Sequence, residues 1–298
     1  MELVEVLRAE PWLFTLSAGL IGLLAGSFLN VVIHRLPKMM EREWRADCAA
    51  LDAPATGASP AAAEPPYNLV VPRSACPACA APITALQNIP VVSWLVLRGR
   101  CATCRAPISL RYPLVELATA VVTATVAWHY GWGWEAACAI GISWTLIALT
   151  AIDIDTQLLP DSLTLPLLWA GLVAAAYLGR GTATIPVDLK SAVLGAVFGY
   201  LSLWCIFHLF KLITGKEGMG FGDFKLFAAL GAWLGWQMLV PVILFAAATG
   251  AIVGIVLIVL KRRGREVPIP FGPYLATAGW VVMMWAPVLV APWWQLGR

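Results

Sequence analysis

Charged residues are scarce in this sequence. They make up 12% of the 298 residues, whereas a soluble globular domain carries roughly 25%. Hydrophobic residues make up 60% and occur in long runs that short polar loops separate. This composition excludes an ordinary water-soluble fold and indicates a protein whose architecture the bilayer sets.

Histidine is also scarce, and several common enzyme signatures are missing. The three histidines, His34, His129 and His208, include no pair at metal-ligand spacing. The sequence has no GxSxG, no HExxH, no P-loop and no GxGxxG motif after a strand. Rhomboid-like serine proteolysis and zinc-type intramembrane proteolysis are therefore without support.

The apolar runs predict an all-α polytopic membrane protein with about eight transmembrane helices. The first run follows an acidic N-terminus and has no small-residue cleavage site, so it is predicted to be a retained span rather than a signal peptide. The stretch 224–260 is nearly continuous, and we expect it to turn near residues 235–241 and form two short helices. The predicted spans lie near residues 12–33, 114–131, 134–152, 160–178, 187–213, 224–238, 239–260 and 272–294.

Basic residues give this arrangement an orientation. With the N-terminus outside and eight crossings, sixteen of the twenty lysines and arginines lie on the inner side, as the positive-inside rule requires. The net charge of +3 is thus mainly an orientation signal. No basic surface interleaved with aromatic residues accompanies it, so we expect no nucleic-acid partner. By the same rule the inner side is the cytoplasmic one.

The one substantial polar segment, residues 34–113, separates the first span (within residues 1–33) from a seven-helix membrane domain (114–298). Within it, residues 49–66 are rich in Ala and Pro and are predicted to form a disordered linker. Four cysteines follow as two CxxC pairs with 21 residues between them: Cys76, Cys79, Cys101 and Cys104. Four thiolates complete a tetrahedral zinc shell without an open position, so the sequence predicts a small cytoplasmic domain with a structural zinc ion.

The sequence leaves two alternatives to zinc open. The CxxC pairs could be redox-active, or the cysteines could form disulfides, although a reducing cytoplasm disfavours both. The other cysteines, Cys48, Cys138 and Cys205, have no partner at metal-ligand spacing.

Carboxylates cluster at one predicted rim of the membrane. Asp153 lies at the end of the third span and Asp223 at the start of the sixth, and the topology brings both to the cytoplasmic side. Ionisable residues at membrane depth suggest function by default. Two partly desolvated carboxyl groups would share a proton, as in aspartic proteases, where one activates water and the other protonates the scissile carbonyl. An alternative for Asp223 is a favourable interaction with the helix dipole.

Neighbouring residues have competing interpretations. Gly220 and Gly222 would allow the backbone to approach an extended peptide closely. Lys225 either supports the catalytic loop or anchors the helix end at the headgroups. Asp155 is a loop charge or a second partner in the site, and Asp161 is predicted to be the N-cap of the fourth helix rather than a catalyst. Asn30 is expected to make an interhelical hydrogen bond, and Glu116 fits either the helix dipole or a function.

Six motifs, in order along almost the whole chain, together resemble bacterial type IV prepilin peptidases, the GxGD-type membrane aspartic peptidases. The motifs are GSFLNVVIHRLP (26–37), the two CxxC pairs, RYPLVE (111–116), IDIDTQLLPD (152–161), GKEGMGFGDFKL (215–226) and PFGPYLA (270–276). The resemblance implies that Asp153 and Asp223 are the catalytic pair. It also implies that the substrates are type IV prepilins and type II secretion pseudopilins, cleaved at the cytoplasmic face of the membrane.

The resemblance further implies a second activity, in which S-adenosylmethionine serves as co-substrate to methylate the new N-terminal residue. Gly99 occupies the position that the family associates with methyl transfer. The insert is too small for a doubly wound nucleotide-binding domain. A different class of function is the alternative: a multispan transporter or lipid-handling protein with an acidic proton relay, which would place its acids near the bilayer midplane.

Overall fold

A computed structural model describes residues 3–52, 65–178, 187–260 and 270–294. These residues form helices and loops without any strand; two isolated β-bridges are the only extended pairings among them. The predicted all-α class is therefore confirmed for the described part of the chain. The helices are α1 (Leu3–Ala9), α2 (Pro11–Asp52), α3 (Val92–Val96), α4 (Arg111–Tyr130), α5 (Trp134–Thr156), α6 (Asp161–Leu178), α7 (Leu189–Thr214), α8 (Phe221–Leu234), α9 (Leu239–Val259) and α10 (Gly272–Trp294).

Each of the eight predicted spans coincides with a helix. Four helical stretches in the described residues are both long and apolar enough to cross a membrane: Pro11–Leu51, Trp134–Thr156, Leu189–Thr214 and Trp236–Val259. The helix at Asp161–Tyr177 is apolar but shorter. Several membrane-crossing helices are thus supported, and the total of eight crossings stays a prediction.

The first long helix extends well beyond its predicted span. α2 continues from the apolar run through Pro37 to Asp52, a length of 42 residues. Its polar end is stabilised by an ion pair between Glu41 and Arg45, one turn apart on the helix. Residues 49–52, predicted to begin a disordered linker, are therefore helical, and alanines with high helix propensity explain the difference. Linker residues 53–64 lie outside the described residues.

The chain divides into two compact units, residues 15–124 and the remainder, residues 1–14 with 125–298. In the larger unit α8 occupies the centre and packs against α6, α7 and α10, while α10 also packs against α5 and α9. Phe224, Leu226, Phe227 and Leu230 of α8 are almost fully buried. Glycines bring α7 and α8 together, since a methyl group on Gly195 would overlap the α8 backbone.

The turn predicted within residues 235–241 is present. α8 ends at Leu234, and Gly235 follows with a φ of +81°, which side chains disfavour. A short 3₁₀ turn at Trp236–Met238 then leads into α9. At 1.5 Å per residue, the 14 residues of α8 extend about 21 Å, less than the ~30 Å hydrocarbon thickness. The central helix is thus a short buried helix that begins with the GxGD element.

In the smaller unit, α2 and α4 pack closely. Methyl groups on Gly22 or Gly26 would lie less than 3 Å from the α4 backbone, so the GxxxG spacing permits this contact. The Asn30 amide donates to the carbonyl of Tyr112 at 3.0 Å, which confirms the predicted interhelical hydrogen bond. Buried Arg35 donates to the carbonyls of Asn68 and Pro72 and thereby fixes the following loop to α2.

Candidate active site and metal centre

Asp153 lies in the last turn of α5. The helix ends at Thr156, and Gln157 terminates it in the left-handed conformation while donating its N–H to the Asp153 carbonyl at 2.9 Å. The Asp153 residue is only 5% exposed. The helix end therefore holds a buried carboxylic acid, which is costly without a function or a partner.

Asp223 lies in the first turn of α8. Gly220 precedes the helix in an extended conformation, and its carbonyl accepts the Asp223 N–H at 3.2 Å. The Asp223 carboxylate also lies close to Gly220, because a methyl group on this glycine would be 3.8 Å from Asp223 Oδ2. Asp223 is 6% exposed. The Gly-x-Gly-Asp element thus folds back on itself and directs an acid into the unit's interior.

The structure brings the two predicted catalytic residues together. Asp153 and Asp223 are close enough to interact electrostatically. Leu159 lies next to both acids. A methyl group on Gly222, which precedes Asp223, or on Gly272 would contact the Leu159 side chain. Asp153 Oδ2 and Asp223 Oδ1 are buried without a hydrogen-bond partner in the described part of the chain. Such atoms are rare in folded proteins and suggest a place for water or substrate.

Gly272, at the start of α10, also borders the site at Asp153 and Leu159. Its backbone lies beside the Asp153 carboxylate, because a methyl group at this position would lie 2.5 Å from Asp153 Oδ2. The sequence motif PFGPYLA included Gly272, but no role was predicted for it. Its contact with Asp153 joins residues distant in sequence, so no local pattern could have revealed it.

The other predicted site residues have clear positions. Lys225 reaches across to α6, where its ammonium group contacts both carboxylate oxygens of Asp161 at 2.6 and 2.7 Å. Asp161 is the first residue of α6, and the Pro160 carbonyl accepts the N–H groups of Leu163 and Thr164. The side chain of Asp161 pairs with Lys225 rather than acting as the predicted N-cap. Asp155 is exposed in the last turn of α5.

The four predicted metal ligands form one cluster. The sulfur atoms of Cys76, Cys79, Cys101 and Cys104 all lie within 4.8 Å of one another. The Sγ atoms of Cys76 and Cys104 are 3.8 Å apart, which is about the separation that a tetrahedral ion with 2.3 Å Zn–S bonds requires. Backbone N–H groups of Cys104 and Thr103 lower the pKa of the Cys101 thiol to about 6. The pKa of the Cys79 thiol is instead raised to about 11, because the Ala81 backbone, which lowers it, is outweighed by the neighbouring thiols, so the four thiols titrate together. The geometry and chemistry of these residues fit a zinc ion.

The cysteine cluster is built from an internal repeat that the sequence analysis missed. The segments CPACAAPI (76–83) and CATCRAPI (101–108) share the pattern CxxCxAPI. In each, the N–H of the first cysteine donates to the alanine carbonyl five residues later, at 2.9 and 2.8 Å. Ala80 and Arg105, at equivalent positions, both have positive φ. Two similar knuckles thus contribute two sulfurs each.

Gly99 has a conformational role in the second knuckle. Its φ is +67°, and a methyl group at this position would lie 2.9 Å from the Trp94 indole. The Trp94 Nε1–H donates to the Ile108 carbonyl at 3.2 Å, and the Ile108 N–H donates to the Gly99 carbonyl at 2.7 Å. Glycine is therefore required for the backbone path and for the packing of Trp94. These contacts explain why a side chain would be poorly tolerated there, whatever its place in methyl transfer.

Glu116 joins the insert to α4. It is buried, and its Oε2 accepts the backbone N–H of Val91 at 2.7 Å. Val91 has a φ of +59°, which is unusual for a β-branched residue. The side chain of Glu116 therefore fixes a strained loop against the first turns of α4, a role that the sequence alone did not distinguish from dipole complementation.

Comparison with known proteins gives the family. Residues 20–130 match the Bacterial Peptidase A24 N-terminal domain, and residues 140–255 match the Type IV leader peptidase family. The first match includes the four cysteines, and the second includes both buried aspartates. This chain belongs to the type IV leader peptidase family.

Curated relatives extend the similarity to nearly the whole chain. A prepilin leader peptidase/N-methyltransferase from Pseudomonas aeruginosa is 51% identical over 96% of this chain and 95% of its own length. Proteins of the same name from Aeromonas hydrophila and Stutzerimonas stutzeri are 55% and 50% identical, covering 95% and 99% of this chain and 94% and 99% of their own lengths. No solved structure matches. The resemblance found in the sequence is confirmed, and the transporter alternative has no support from these comparisons.

Proposed function

We propose that this chain is a membrane aspartic endopeptidase that removes the leader peptides of type IV prepilins and type II secretion pseudopilins. The observation that supports the proposal is that Asp153 and Asp223 are both buried near Leu159 and each has a carboxylate oxygen that lacks a partner among the described residues. Membership of the type IV leader peptidase family and relatives named prepilin leader peptidase/N-methyltransferase support it.

The proposed reaction is acid–base hydrolysis by the pair. One carboxylate accepts a proton from water as the water oxygen attacks the scissile carbonyl carbon, and the protonated carboxyl group donates to the carbonyl oxygen. Breakdown of the tetrahedral intermediate breaks the C–N bond and returns a proton to the leaving amine. The two unpartnered oxygens are suitable for holding that water, and Gly220 and Gly222 leave room for an extended substrate backbone.

We also propose the membrane arrangement in which this chemistry occurs. Eight crossings would place Asp153 and Asp223 at the cytoplasmic face of the inner membrane, with the insert on the same side. Residues 1–33, 34–113 and 114–298 would then be the first span, the cytoplasmic insert and the peptidase domain. The excess of basic residues in the predicted inner loops supports this orientation.

The insert is proposed to hold one structural zinc ion through Cys76, Cys79, Cys101 and Cys104. A closed set of four thiolates leaves no position for substrate, so the ion would stabilise the two knuckles. The relatives are named as N-methyltransferases as well as leader peptidases, which supports a second reaction. In it the new N-terminal amine takes the methyl group of S-adenosylmethionine, releasing S-adenosylhomocysteine and a proton.

The experiment that tests this function uses the purified full-length chain, a prepilin and S-adenosylmethionine, with mass spectrometry of the product. The expected products are a mature chain shortened by its leader and a further species heavier by one methyl group at the N-terminus. Omission of S-adenosylmethionine should leave cleavage intact and remove the methylated species. An uncleaved prepilin, in the presence of folded enzyme, would contradict the proposal.

A further inference from the structure

The part of the insert that contains the cysteines has an unusual charge composition. Residues 65–115 include five arginines and no lysine, aspartate or glutamate. Within them, residues 83–97 (ITALQNIPVVSWLVL) contain no charged residue at all. A domain surrounded only by water would be expected to carry mixed charges.

The uncharged stretch places apolar side chains on the outside of the unit. Val92, Leu95 and Val96 of α3 are exposed by 53%, 61% and 75%. Their spacing of i, i+3 and i+4 puts them on one side of the helix, here called the α3 face. Leu86 and Ile89, just before α3, are also exposed. Trp94 is directed instead toward Gly99, so the exposed residues are not the core of the knuckle.

The α3 face is held beside the start of an apolar helix. The Val91 N–H, immediately before α3, donates to Glu116 of α4. Glu116 is five residues beyond Arg111, where α4 begins, so it lies about 7.5 Å along the helix axis. Apart from Glu116 and three threonines, residues 114–127 are apolar. If α4 crosses the membrane as proposed, α3 lies at the level of the lipid headgroups.

Basic residues follow the α3 face directly. Arg98 and Arg100 are exposed, and residues 65–115 hold no acid that would oppose a negative surface. Exposed apolar side chains next to arginines are the combination that binds the interface of anionic membranes. We propose that the α3 face docks on anionic phospholipid headgroups of the membrane in which α4 is embedded. This inference rests on the proposed crossing of α4 and concerns a surface separate from the aspartates.

The docking can be measured on the full-length chain in lipid nanodiscs. A spin label at Val96→Cys reports the α3 face, in a background where Cys48, Cys138 and Cys205 are serine and the four clustered cysteines are kept. The matched control is a label at Ala46→Cys, an exposed position about 20 Å along α2 beyond Ile33. Collisions with oxygen, which concentrates in lipid, and with a water-soluble nickel chelate give the depth of each label. Zinc content and prepilin cleavage verify that the labelled proteins are folded.

In nanodiscs that contain phosphatidylglycerol, the label at position 96 should be several-fold less accessible to the nickel chelate than the control label, and more accessible to oxygen. Phosphatidylcholine alone, or Arg98→Gln with Arg100→Gln, should reduce that difference. Equal nickel access at both positions would overturn the proposal. Protection of position 96 from both reagents would also overturn it, since a protein surface would then cover α3. If the depth of the label at position 96 changed neither with lipid charge nor on substitution of both arginines, recognition of anionic phospholipid would be excluded.

Discussion

The backbone of Gly272 lies beside the carboxylate of Asp153. Gly272 is the first residue of α10, and the Phe271 carbonyl before it accepts the N–H groups of Tyr274 and Leu275, which fixes the start of the helix at this position. The same glycine leaves no space for a methyl group beside Asp153 Oδ2. We therefore regard Gly272 as the residue that positions Asp153.

Gly272→Ala should lower kcat for prepilin cleavage strongly, by on the order of 100-fold, because it displaces a catalytic carboxylate by a fraction of an ångström or more. The KM for prepilin should change little. Gly141→Ala is the matched control: it lies on α5 with Asp153, and its added methyl group would meet no atom within 4 Å. Unchanged kcat in the Gly272→Ala protein would contradict the positioning role.

The ion pair between Asp161 and Lys225 should matter for activity more than for stability. The side chains are 54% and 29% exposed, so the pair itself stabilises by about 1 kcal/mol or less. It joins α6 to α8 two residues after Asp223, however, and so restricts the rotation of the helix that carries this acid. Asp161→Asn and Lys225→Met should each lower cleavage about tenfold with nearly unchanged thermal unfolding.

Reversal of the pair, Asp161→Lys with Lys225→Asp, should recover part of that loss. Glu41→Gln, which breaks the exposed ion pair with Arg45 on α2, is the control and should leave cleavage unchanged. Full activity in both single variants would show that the pair does not position Asp223.

Metal analysis of the purified chain should find about one zinc ion per molecule, as a closed four-thiolate site requires. Cys76→Ser and Cys104→Ser remove one ligand from each knuckle and should each lower zinc content and the unfolding temperature of the insert. Cys205→Ser, on α7 and outside the cluster, should change neither. Protein that is free of zinc after preparation without chelators would contradict the metal site.

Substitution of Gly99 should separate the two proposed activities. Gly99→Ala places a methyl group against Trp94 at a positive φ, so it should distort the second knuckle, weaken zinc retention and reduce methylation. Cleavage should persist, because the aspartates belong to another segment. Ser74→Ala, at the equivalent position of the first repeat, is the matched control. Equal loss of both activities in folded Gly99→Ala protein would argue against separate sites.

The sequence predicted those features that local patterns encode. Apolar runs located the helices, the spacing of the cysteines located the metal cluster, and the position of Asp153 and Asp223 at span ends suggested their pairing. Contacts between distant residues had no such signal, which is why Gly272 beside Asp153 and the partner of Lys225 required the structure. The polar half of α2 was missed because its helicity rests on alanines and an ion pair rather than on an apolar period.

The most direct test of the account is prepilin cleavage by Asp153→Asn, Asp223→Asn and the double variant, each verified as folded and inserted in the membrane. Asparagine keeps the size of the side chain but removes the ionisable proton. If the two residues form one acid–base unit, each single variant should lose cleavage, and the double variant should be scarcely worse than either. Substantial cleavage by either single variant would contradict the aspartic mechanism.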